Sequence, residues 1–249
     1  MENPLARKLS GFAAFSDEDR GRLDELCVRF TTRSAGDTLI REGASPSDVF
    51  LLLDGWAYRY KVANDGGRQI VALMIPGDLC DIHNFVLKRM DHTIALLSDA
   101  RVAAIPTERL VALMDESPAI NRALWWATLV DEAILREWLL NSGQRAAYER
   151  IAHLFCEMWT RMRQVGLAEE QSFHLPLTQE GLGDTAGLTS VHVNRIVQRM
   201  RKEGLITLRG KQLEIHDFER LSLIAGFDPS YLHLSSVQPT PAQKLAMAG

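Results

Sequence analysis

The 249-residue sequence predicts an α+β protein that begins with an antiparallel β-roll of the jelly-roll type (a double-stranded β-helix), continues with one long helix and ends in a small helical domain. Three patterns predict this order. Short apolar runs alternate with turn signals between about residues 30 and 105, apolar residues then recur every three or four positions, and two short helical segments precede two short strands. We divide the chain into the roll with a preceding helix (1–115), the long helix (116–143), the C-terminal domain (144–222) and a tail (223–249).

The composition is that of an ordinary globular protein. The chain is 46% hydrophobic and 24% charged, which excludes a disordered chain, a collagen and a disulfide scaffold. Its apolar runs are much shorter than the roughly 18 to 20 residues that span a bilayer, and its N-terminus lacks the apolar stretch of a signal peptide. Three widely spaced cysteines, Cys27, Cys80 and Cys156, are typical of a reducing compartment. We therefore expect a cytoplasmic protein without a membrane partner.

The β-roll is predicted from its strands and turns. A short helix comes first, because Ser16 can cap it and three acidic residues follow in its first turn. Each apolar run after it is bounded by Gly, Pro, Asn, Asp or Ser, as antiparallel strands are. The runs comprise residues 38–41, 49–53, 56–62, 69–75, 93–97 and 101–105. Residues 64–67 (Asn-Asp-Gly-Gly) indicate a hairpin turn, since Asn and Gly tolerate positive φ.

The long helix is predicted to begin near Pro118, because proline favours the first turn of a helix. Its apolar residues alternate spacings of three and four, which indicates a coiled-coil-like contact, and we expect this face to join two copies of the chain. The alternative is that the face packs only on its own domain. The predicted contact residues are Ile120, Ala123, Leu124, Ala127, Val130, Ile134 and Trp138. Residues 141–143 (Asn-Ser-Gly) are predicted to interrupt the helix as a hinge.

The C-terminal domain shows two short helices followed by a hairpin. After a helix over residues 146–163, Thr178 and Thr189 each precede a helical segment as N-caps, and Gly187 between the segments can adopt a left-handed conformation. Short strands over residues 205–208 and 213–215 follow. Helix, tight turn, helix and β-hairpin in this order indicate a winged helix-turn-helix. Beyond about Ala225 we expect little order.

The second of these helices, over residues 190–203, presents a basic face. Residues 189–213 hold six basic residues and one acidic residue, a net charge of +5, whereas the whole chain carries −4 and the remainder therefore −9. Such a face beside a basic hairpin is typical of a protein that reads the major groove of DNA; the alternative is a solvated cationic helix. We expect Arg195 to contact a guanine edge and Val191 a thymine methyl group. The predicted DNA-contact residues are Thr178, Thr189, Ser190, Val191, His192, Asn194, Arg195, Gln198, Arg199, Lys202, Arg209 and Lys211.

Together with several sequence segments, these features resemble those of a known protein family. The segments Leu-Thr-Ser-Val-His-Val-Asn-Arg (188–195) and Arg-Lys-Glu-Gly-Leu-Ile (201–206), with Pro-Gly-Asp at 76–78 and the strand from Asp48 to Gly55, resemble the Crp/Fnr family of bacterial transcription regulators over about residues 8–220. The resemblance implies a homodimer joined through the long helix and a near-palindromic DNA operator. It further implies an effector in the roll that repositions the recognition helices, and RNA polymerase as a partner.

The effector-binding residues depart from the family's patterns. The cyclic-nucleotide branch uses a Gly-Glu pair for the ribose and an Arg-Ser pair for the phosphate, whereas this chain has Leu-Cys-Asp-Ile-His-Asn at 79–84 and His92-Thr93. We therefore do not expect cyclic-nucleotide binding. The iron–sulfur branch needs four cysteines, which excludes that cluster here. The predicted effector-pocket residues are Cys80, Asp81, His83, His92 and Thr93.

Alternatives remain open at this pocket and for the whole chain. Cys80, His83 and His92 could ligate haem or a metal, although no metal ligand set is assigned, and Cys80 could act as a redox sensor. A catalytic β-roll is not expected, since the chain has no His-x-His metal motif, nucleophile elbow, phosphate-binding Gly loop or His-Glu-x-x-His motif. Besides a DNA-binding regulator and an enzyme, the third class of function is a β-roll that binds a ligand and has no role at DNA.

Overall fold

The computed structural model describes residues 3–82 and 84–234 and confirms the α+β architecture. Two four-stranded antiparallel sheets form the roll, with strand orders β1-β8-β3-β6 and β2-β7-β4-β5. Two helices, α1 (Pro4–Ser10) and α2 (Asp17–Glu25), precede it. Its strands are β1 (Thr31–Arg33), β2 (Thr38–Ile40), β3 (Asp48–Asp54), β4 (Ala57–Val62), β5 (Arg68–Met74), β6 (Leu79–Cys80), β7 (Thr93–Leu96) and β8 (Ala100–Pro106).

Turn chemistry fixes the register of the roll. The predicted hairpin joins β4 to β5, with the Ala63 amide donating to the Gly67 carbonyl at 2.8 Å and Gly66 at φ 86°. Between β3 and β4, Gly55 has φ 79°, and a Cβ there would lie 2.3 Å from the Asp99 carbonyl oxygen. Only glycine fits such a position, because it has no Cβ and tolerates positive φ.

The long helix is longer than predicted at its C-terminal end. After α3 (Thr107–Glu116), the helix α4 (Pro118–Gln144) begins with the Ser117 hydroxyl accepting the Ile120 amide at 3.2 Å. The predicted interruption at residues 141–143 is wrong, because α4 continues through it. Asn141 is buried there, with its Nδ2 atom 2.9 Å from Nδ1 of His153. The chain turns instead at residues 145 and 146.

The predicted contact face of α4 lies inside the chain's own core. Six of the seven residues are buried and Ala127 is half-buried, which corrects the expectation that this face meets a second copy and agrees with the alternative of packing on the same chain. Apolar residues surround α4 on all sides, so that its spacing alone does not say which side is covered. The exposed apolar residues of α4 are Trp125, Leu129, Leu135, Leu139 and Leu140.

The C-terminal domain is a winged helix-turn-helix, as predicted. A three-stranded sheet of order β10-β11-β9 backs its helices, and the segment between residues 164 and 175 supplies the third strand. No helix formed by the described part of the chain is long and apolar enough to cross a membrane. The elements are α5 (Ala147–Gln164), β9 (Ser172–His174), α6 (Gln179–Ala186), α7 (Ser190–Lys202), β10 (Ile206–Arg209), β11 (Gln212–Ile215), α8 (Phe218–Ala225) and a 3₁₀ helix (Pro229–Leu232).

The sequence predicts little order beyond about Ala225, but residues 226–234 are ordered and include a 3₁₀ helix, which corrects that prediction; residues 235–249 lie outside the described residues. The 3₁₀ helix packs against α4 and α5. Tyr231 donates its hydroxyl to Glu157 at 3.0 Å and stacks on His153, and His233 meets the edge of Trp126. Aromatic residues among turn-forming Pro, Asp and Ser give no helical periodicity, so the sequence pattern did not reveal this contact.

A buried ionic cluster joins the roll to both of its flanking helices. Asp78, in the turn before β6, accepts from Lys8 of α1 and from Arg161 of α5, the latter at 3.3 Å. Burial alone would raise the pKa of the Asp78 carboxyl, but the two cations outweigh it and hold that pKa below its ordinary value. Arg161 also donates to the Leu73 carbonyl at 2.9 Å and to Glu157 at 3.2 Å. The predicted parts of the chain are therefore packed as one connected core.

Candidate nucleic-acid interface and adjoining cavity

Two capped helices and a left-handed glycine form the helix-turn-helix. The Thr178 hydroxyl accepts the Gly181 amide at 3.0 Å, and the Thr189 hydroxyl accepts the His192 amide at 3.3 Å. Gly187 ends α6 with φ 65° and ψ 42°. The predictions of both caps and of the left-handed turn are confirmed. Since these hydroxyls are engaged with the backbone, Thr178 and Thr189 position the helices, and both residues remain exposed.

Close approach of α6 and α7 depends on Gly183. A Cβ at this position would lie 2.4 Å from the Leu188 carbonyl oxygen, which no side chain can accommodate. The Leu188 amide donates to the Gly183 carbonyl at 3.0 Å. The predicted small core forms around this contact, with Leu188 half-buried and the other members buried. Those members are Leu182, Ala186, Val193, Ile196, Val197 and Met200.

The opposite face of α7 is open to solvent. Val191 is 60% exposed at its N-terminal end, and Asn194 is half-buried. Arg195 makes no ion pair with the residues that the structure describes, so its guanidinium is available to a base edge. The other predicted contact residues of α7 that are exposed are Ser190, His192, Gln198, Arg199 and Lys202. At the tip of the β10–β11 hairpin, Arg209 and Lys211 are exposed as well.

Arg199, one of the predicted DNA-contact residues, is paired within the chain. Its Nε donates to Glu203 Oε1 at 2.8 Å, and its guanidinium lies 4.4 Å from the centre of the Tyr148 ring. Tyr148 in turn donates its hydroxyl to Glu203 Oε2 at 2.6 Å, and burial together with this carboxylate raises the pKa of Tyr148 to about 12. Arg199 is thus already engaged by Glu203, whereas Arg195 and Lys202 are exposed on α7 without an ion pair among the described residues.

Arg150 ties the helix-turn-helix to the end of α4. Its guanidinium donates to the carbonyls of Ala186, the last residue of α6, of Ser142 in the last turn of α4, and of Arg145 just after α4. Backbone carbonyls leave no trace in a sequence pattern, so this contact could not be predicted. A change in the position of α4 therefore reaches the turn that orients α7.

A cavity of about 440 Å³ lies between the roll, α1 and α4. Of the predicted pocket residues, Asp81 and His92 line it, and His83 lies outside the described residues. Cys80 does not line it, being buried in a second apolar cluster with its Sγ 3.8 Å from Met74 Sδ. Thr93 does not line it either, and its hydroxyl accepts the Glu42 amide at 3.1 Å.

The imidazole of His92 lies between two carboxylates. Its Nε2 is 3.0 Å from Asp81 Oδ2, and its Nδ1 is 2.6 Å from Asp91 Oδ1. Burial would lower the pKa of His92, but the two carboxylates outweigh it and raise that pKa above its ordinary value. A cyclic phosphate placed at His92 and Thr93 would meet these carboxylates, so the residues present do not fit a cyclic nucleotide.

The thiols are poorly suited to redox sensing or to haem ligation. Burial raises the pKa of Cys80 and of Cys156 to about 12 each, and burial raises that of half-buried Cys27 to about 11. A reactive or metal-binding cysteine needs the thiolate, which these surroundings disfavour. Among residues 3–82 and 84–234, no group of three His, Cys, Asp or Glu side chains is arranged to hold a metal ion.

The roll and the C-terminal domain each match a known protein family, in the same order along the chain. Residues 31–117 match the model of the cyclic nucleotide-binding domain, and residues 149–224 match the model of the Crp-like helix-turn-helix domain. The solved structure of FixK2 from Bradyrhizobium japonicum is similar, with a TM-score of 0.72 and 23% identity over 80% of this chain and 98% of that one. A CRP/FNR-family regulator of Thermus thermophilus gives a TM-score of 0.58 at 15% identity, covering 80% of this chain and 99% of that one. Both structural matches support the fold.

Two proteins of similar sequence align with both domains of this chain and with the long helix between them. The transcriptional activator protein FnrL of Cereibacter sphaeroides is 30% identical over 220 residues, which is 87% of this chain and 88% of that protein. The transcriptional activator protein Anr of Pseudomonas aeruginosa is 27% identical over 209 residues, 84% of this chain and 85% of that protein. With both domain models matched in order and a relative this similar over most of its length, the chain belongs to the Crp/Fnr family of bacterial transcription regulators.

Proposed function

We propose that the chain is a cytoplasmic, homodimeric transcription regulator that binds a near-palindromic DNA operator by inserting α7 into the major groove. The observation that carries this proposal is the exposed basic face of α7 on a capped helix-turn-helix, with Arg195 unpaired among the described residues. Arg195 takes the role of base reader, and Lys202, Arg209 and Lys211 bind phosphates. The named activator relatives support this function.

The second copy docks on the exposed apolar residues of α4. Trp125, Leu129 and Leu139 are 51%, 57% and 74% exposed, and their spacings of four and ten residues keep them on one side of the helix. Large apolar side chains so exposed mark an interaction surface. Two copies related by a two-fold axis would present two α7 helices to the two half-sites of the operator.

Control of this DNA binding comes from a signal at the cavity between the roll and α4. The cavity meets both the β4–β5 hairpin and α4, so an occupant contacts the roll and the dimer helix together. The proposal includes contact with RNA polymerase and assigns no catalytic role to the chain. The residues of the cavity favour an effector other than a cyclic nucleotide, haem or iron–sulfur cluster.

The test is a comparison of two single variants on a duplex selected by the protein from a random library. Arg195→Ala should lower affinity for the selected duplex by roughly 1 to 3 kcal/mol and relax the preference at one base pair of each half-site. Lys202→Ala should instead lower affinity for selected and random duplexes alike and reduce the slope of binding against salt by about one. Fluorescence anisotropy over a salt series measures both.

Three outcomes contradict the proposal. Selection that yields no preferred duplex removes sequence-specific binding and leaves a ligand-binding roll without a role at DNA. Equal losses for both variants on all duplexes remove Arg195 as a base reader. A selected duplex without two related half-sites contradicts the two-fold arrangement.

A further inference from the structure

The guanidinium of Arg59 lies in the cavity wall and makes two long ion pairs, but no hydrogen bond, with the residues that the structure describes. Arg59 stands on β4 and its side chain is 18% exposed. Its Nη2 is 3.9 Å from Asp81 and its Nη1 is 3.5 Å from Asp131, which are ion-pair distances rather than good hydrogen bonds. Its buried Nε has no partner in the described part of the chain. Since Nε itself is not accessible, an acceptor in the cavity would bind the Nη atoms, and better hydrogen bonds there than the two long ion pairs provide would stabilise the protein.

The other cations in the cavity wall already have acceptors. Lys8 and Arg161 both donate to Asp78, and Lys61 donates to the Asp91 carbonyl and pairs with Glu42 at 3.4 Å. An anion in the cavity would therefore gain most at the guanidinium on β4. A planar carboxylate can accept two parallel hydrogen bonds from such a group.

The rest of the wall restricts the ligand's size and charge. Val71 and Met74 of β5 and Leu124 and Leu135 of α4 give the cavity an apolar surface. Its volume of about 440 Å³ falls within the range of small-molecule sites. The wall also holds several carboxylates, among them Asp81, Asp91, Asp131 and Glu132, which would repel any anion and would repel one with two charges about twice as strongly. A single anionic group on an apolar body satisfies both conditions.

We propose that this cavity binds a small organic acid, with its one carboxylate on Arg59 and its apolar body against β5 and α4. This inference rests on the proposed function, for which it names the chemical class of the effector. A carboxylate on Arg59 would compete with Asp131 and weaken the ion pair that joins β4 to α4. Because Arg150 links the end of α4 to the last residue of α6, a shift of α4 on the loss of that pair would move the helix-turn-helix.

The test measures binding to the full chain in the absence of DNA, so failure to bind an operator does not affect it. Benzoate and octanoate, at millimolar concentration, should raise the Tm, whereas benzamide and octanamide should not, because the amides lack the charge that pairs with Arg59. Arg59→Met should abolish the rise and Arg59→Lys should keep part of it. Asp131→Asn should lower the Kd of the carboxylates roughly two- to fivefold by removing the competing acid.

A second variant tests whether the loss of response in Arg59→Met comes from misfolding. Removal of the cation alone leaves Asp131 without its partner, so Arg59→Met with Asp131→Asn serves as the neutral pair, and it too should show no response to carboxylates. The proposal is overturned if neither carboxylate raises the Tm of the wild type, if the amides are equally effective, or if either Met variant still responds. A larger rise with cyclic AMP than with the carboxylates, lost in Arg59→Met, overturns the carboxylate assignment.

Discussion

An ion pair between Arg68 and Asp184 joins the roll to the helix-turn-helix of the same chain. Arg68 lies at the start of β5, and its Nη2 and Nε are 2.6 and 2.7 Å from Asp184 Oδ2 on α6. The guanidinium also lies over the rings of Tyr58 and Tyr60, at 5.7 and 5.9 Å from their centres. The hairpin whose base lines the cavity through Arg59 therefore contacts, through its tip, the first helix of the DNA-binding motif.

We expect this ion pair to couple the two parts more than it stabilises the fold. A double-mutant cycle of Arg68→Ala and Asp184→Ala should give a coupling energy of about 0.5 to 1 kcal/mol that falls in high salt, because both groups are partly exposed. Hydrogen exchange of the α6 amides should quicken in Arg68→Ala. The matched control is Arg109→Ala, which breaks a 2.8 Å pair with Glu25 within the N-terminal part. Equal exchange rates of α6 in both variants would contradict the coupling.

Gly183 should tolerate no side chain. Gly183→Ala places a Cβ against the Leu188 carbonyl and should cost roughly 1 to 3 kcal/mol of unfolding free energy, with loss of DNA binding as α7 shifts. Gly143→Ala is the control, since it lies in α4 with open space around its Cβ position and should gain about 0.5 to 1 kcal/mol through helix propensity. Urea unfolding measures both. A Gly183 variant as stable as the wild type would show that the turn relaxes freely.

The exposed side of α4 should hold the dimer together. Leu139→Glu introduces a charge at the proposed contact, and sedimentation should then show single chains at micromolar concentration. Operator affinity should fall at least roughly a hundredfold as the second half-site is lost. Leu223→Glu on α8 is the matched control, because Leu223 is 82% exposed against 74% for Leu139. The assignment fails if both variants sediment alike.

The local elements of this chain can be predicted from its sequence, whereas the contacts between distant residues cannot. Strands and the helix-turn-helix were predictable because alternation, caps and Gly187 act over a few neighbouring residues. The side of α4 that is buried in the chain's own core was not predictable, because apolar residues such as Ile134 and Leu139 lie all around the helix and only the fold decides which are covered. The charges of the cavity, such as Arg59 and Asp131, lie far apart in the chain and each resembles an ordinary surface charge.

His153 should make the fold sensitive to mild acid. Burial and Arg145 lower the pKa of His153 to about 3, against 6.5 for the ordinary side chain, because the one carboxylate at ion-pair distance among the described residues, Glu137 at 3.2 Å from Nε2, is itself paired with Arg145 at 2.7 Å. Between these two pKa values the unfolded chain binds a proton on His153 that the folded chain does not bind. The contribution of His153 to the free energy of unfolding is therefore complete above pH 6.5 and is lost as the pH falls toward 3. Between pH 7 and 5.5 the wild type should lose about 1 kcal/mol more unfolding free energy than His153→Gln. Parallel losses in chemical denaturation would contradict a buried neutral imidazole.

The ionic cluster at Asp78 has a consequence for the order of events during synthesis. Lys8 is available when the roll leaves the ribosome, but Arg161 is made only after the whole roll and α4. Until then the Leu73 carbonyl lacks its donor, and the buried Asp78 carboxylate has one cation instead of two. We expect nascent chains stalled before residue 161 to remain open to proteases, and those stalled well beyond it to resist them. The roll would then mature only with the help of a helix from the domain that follows it.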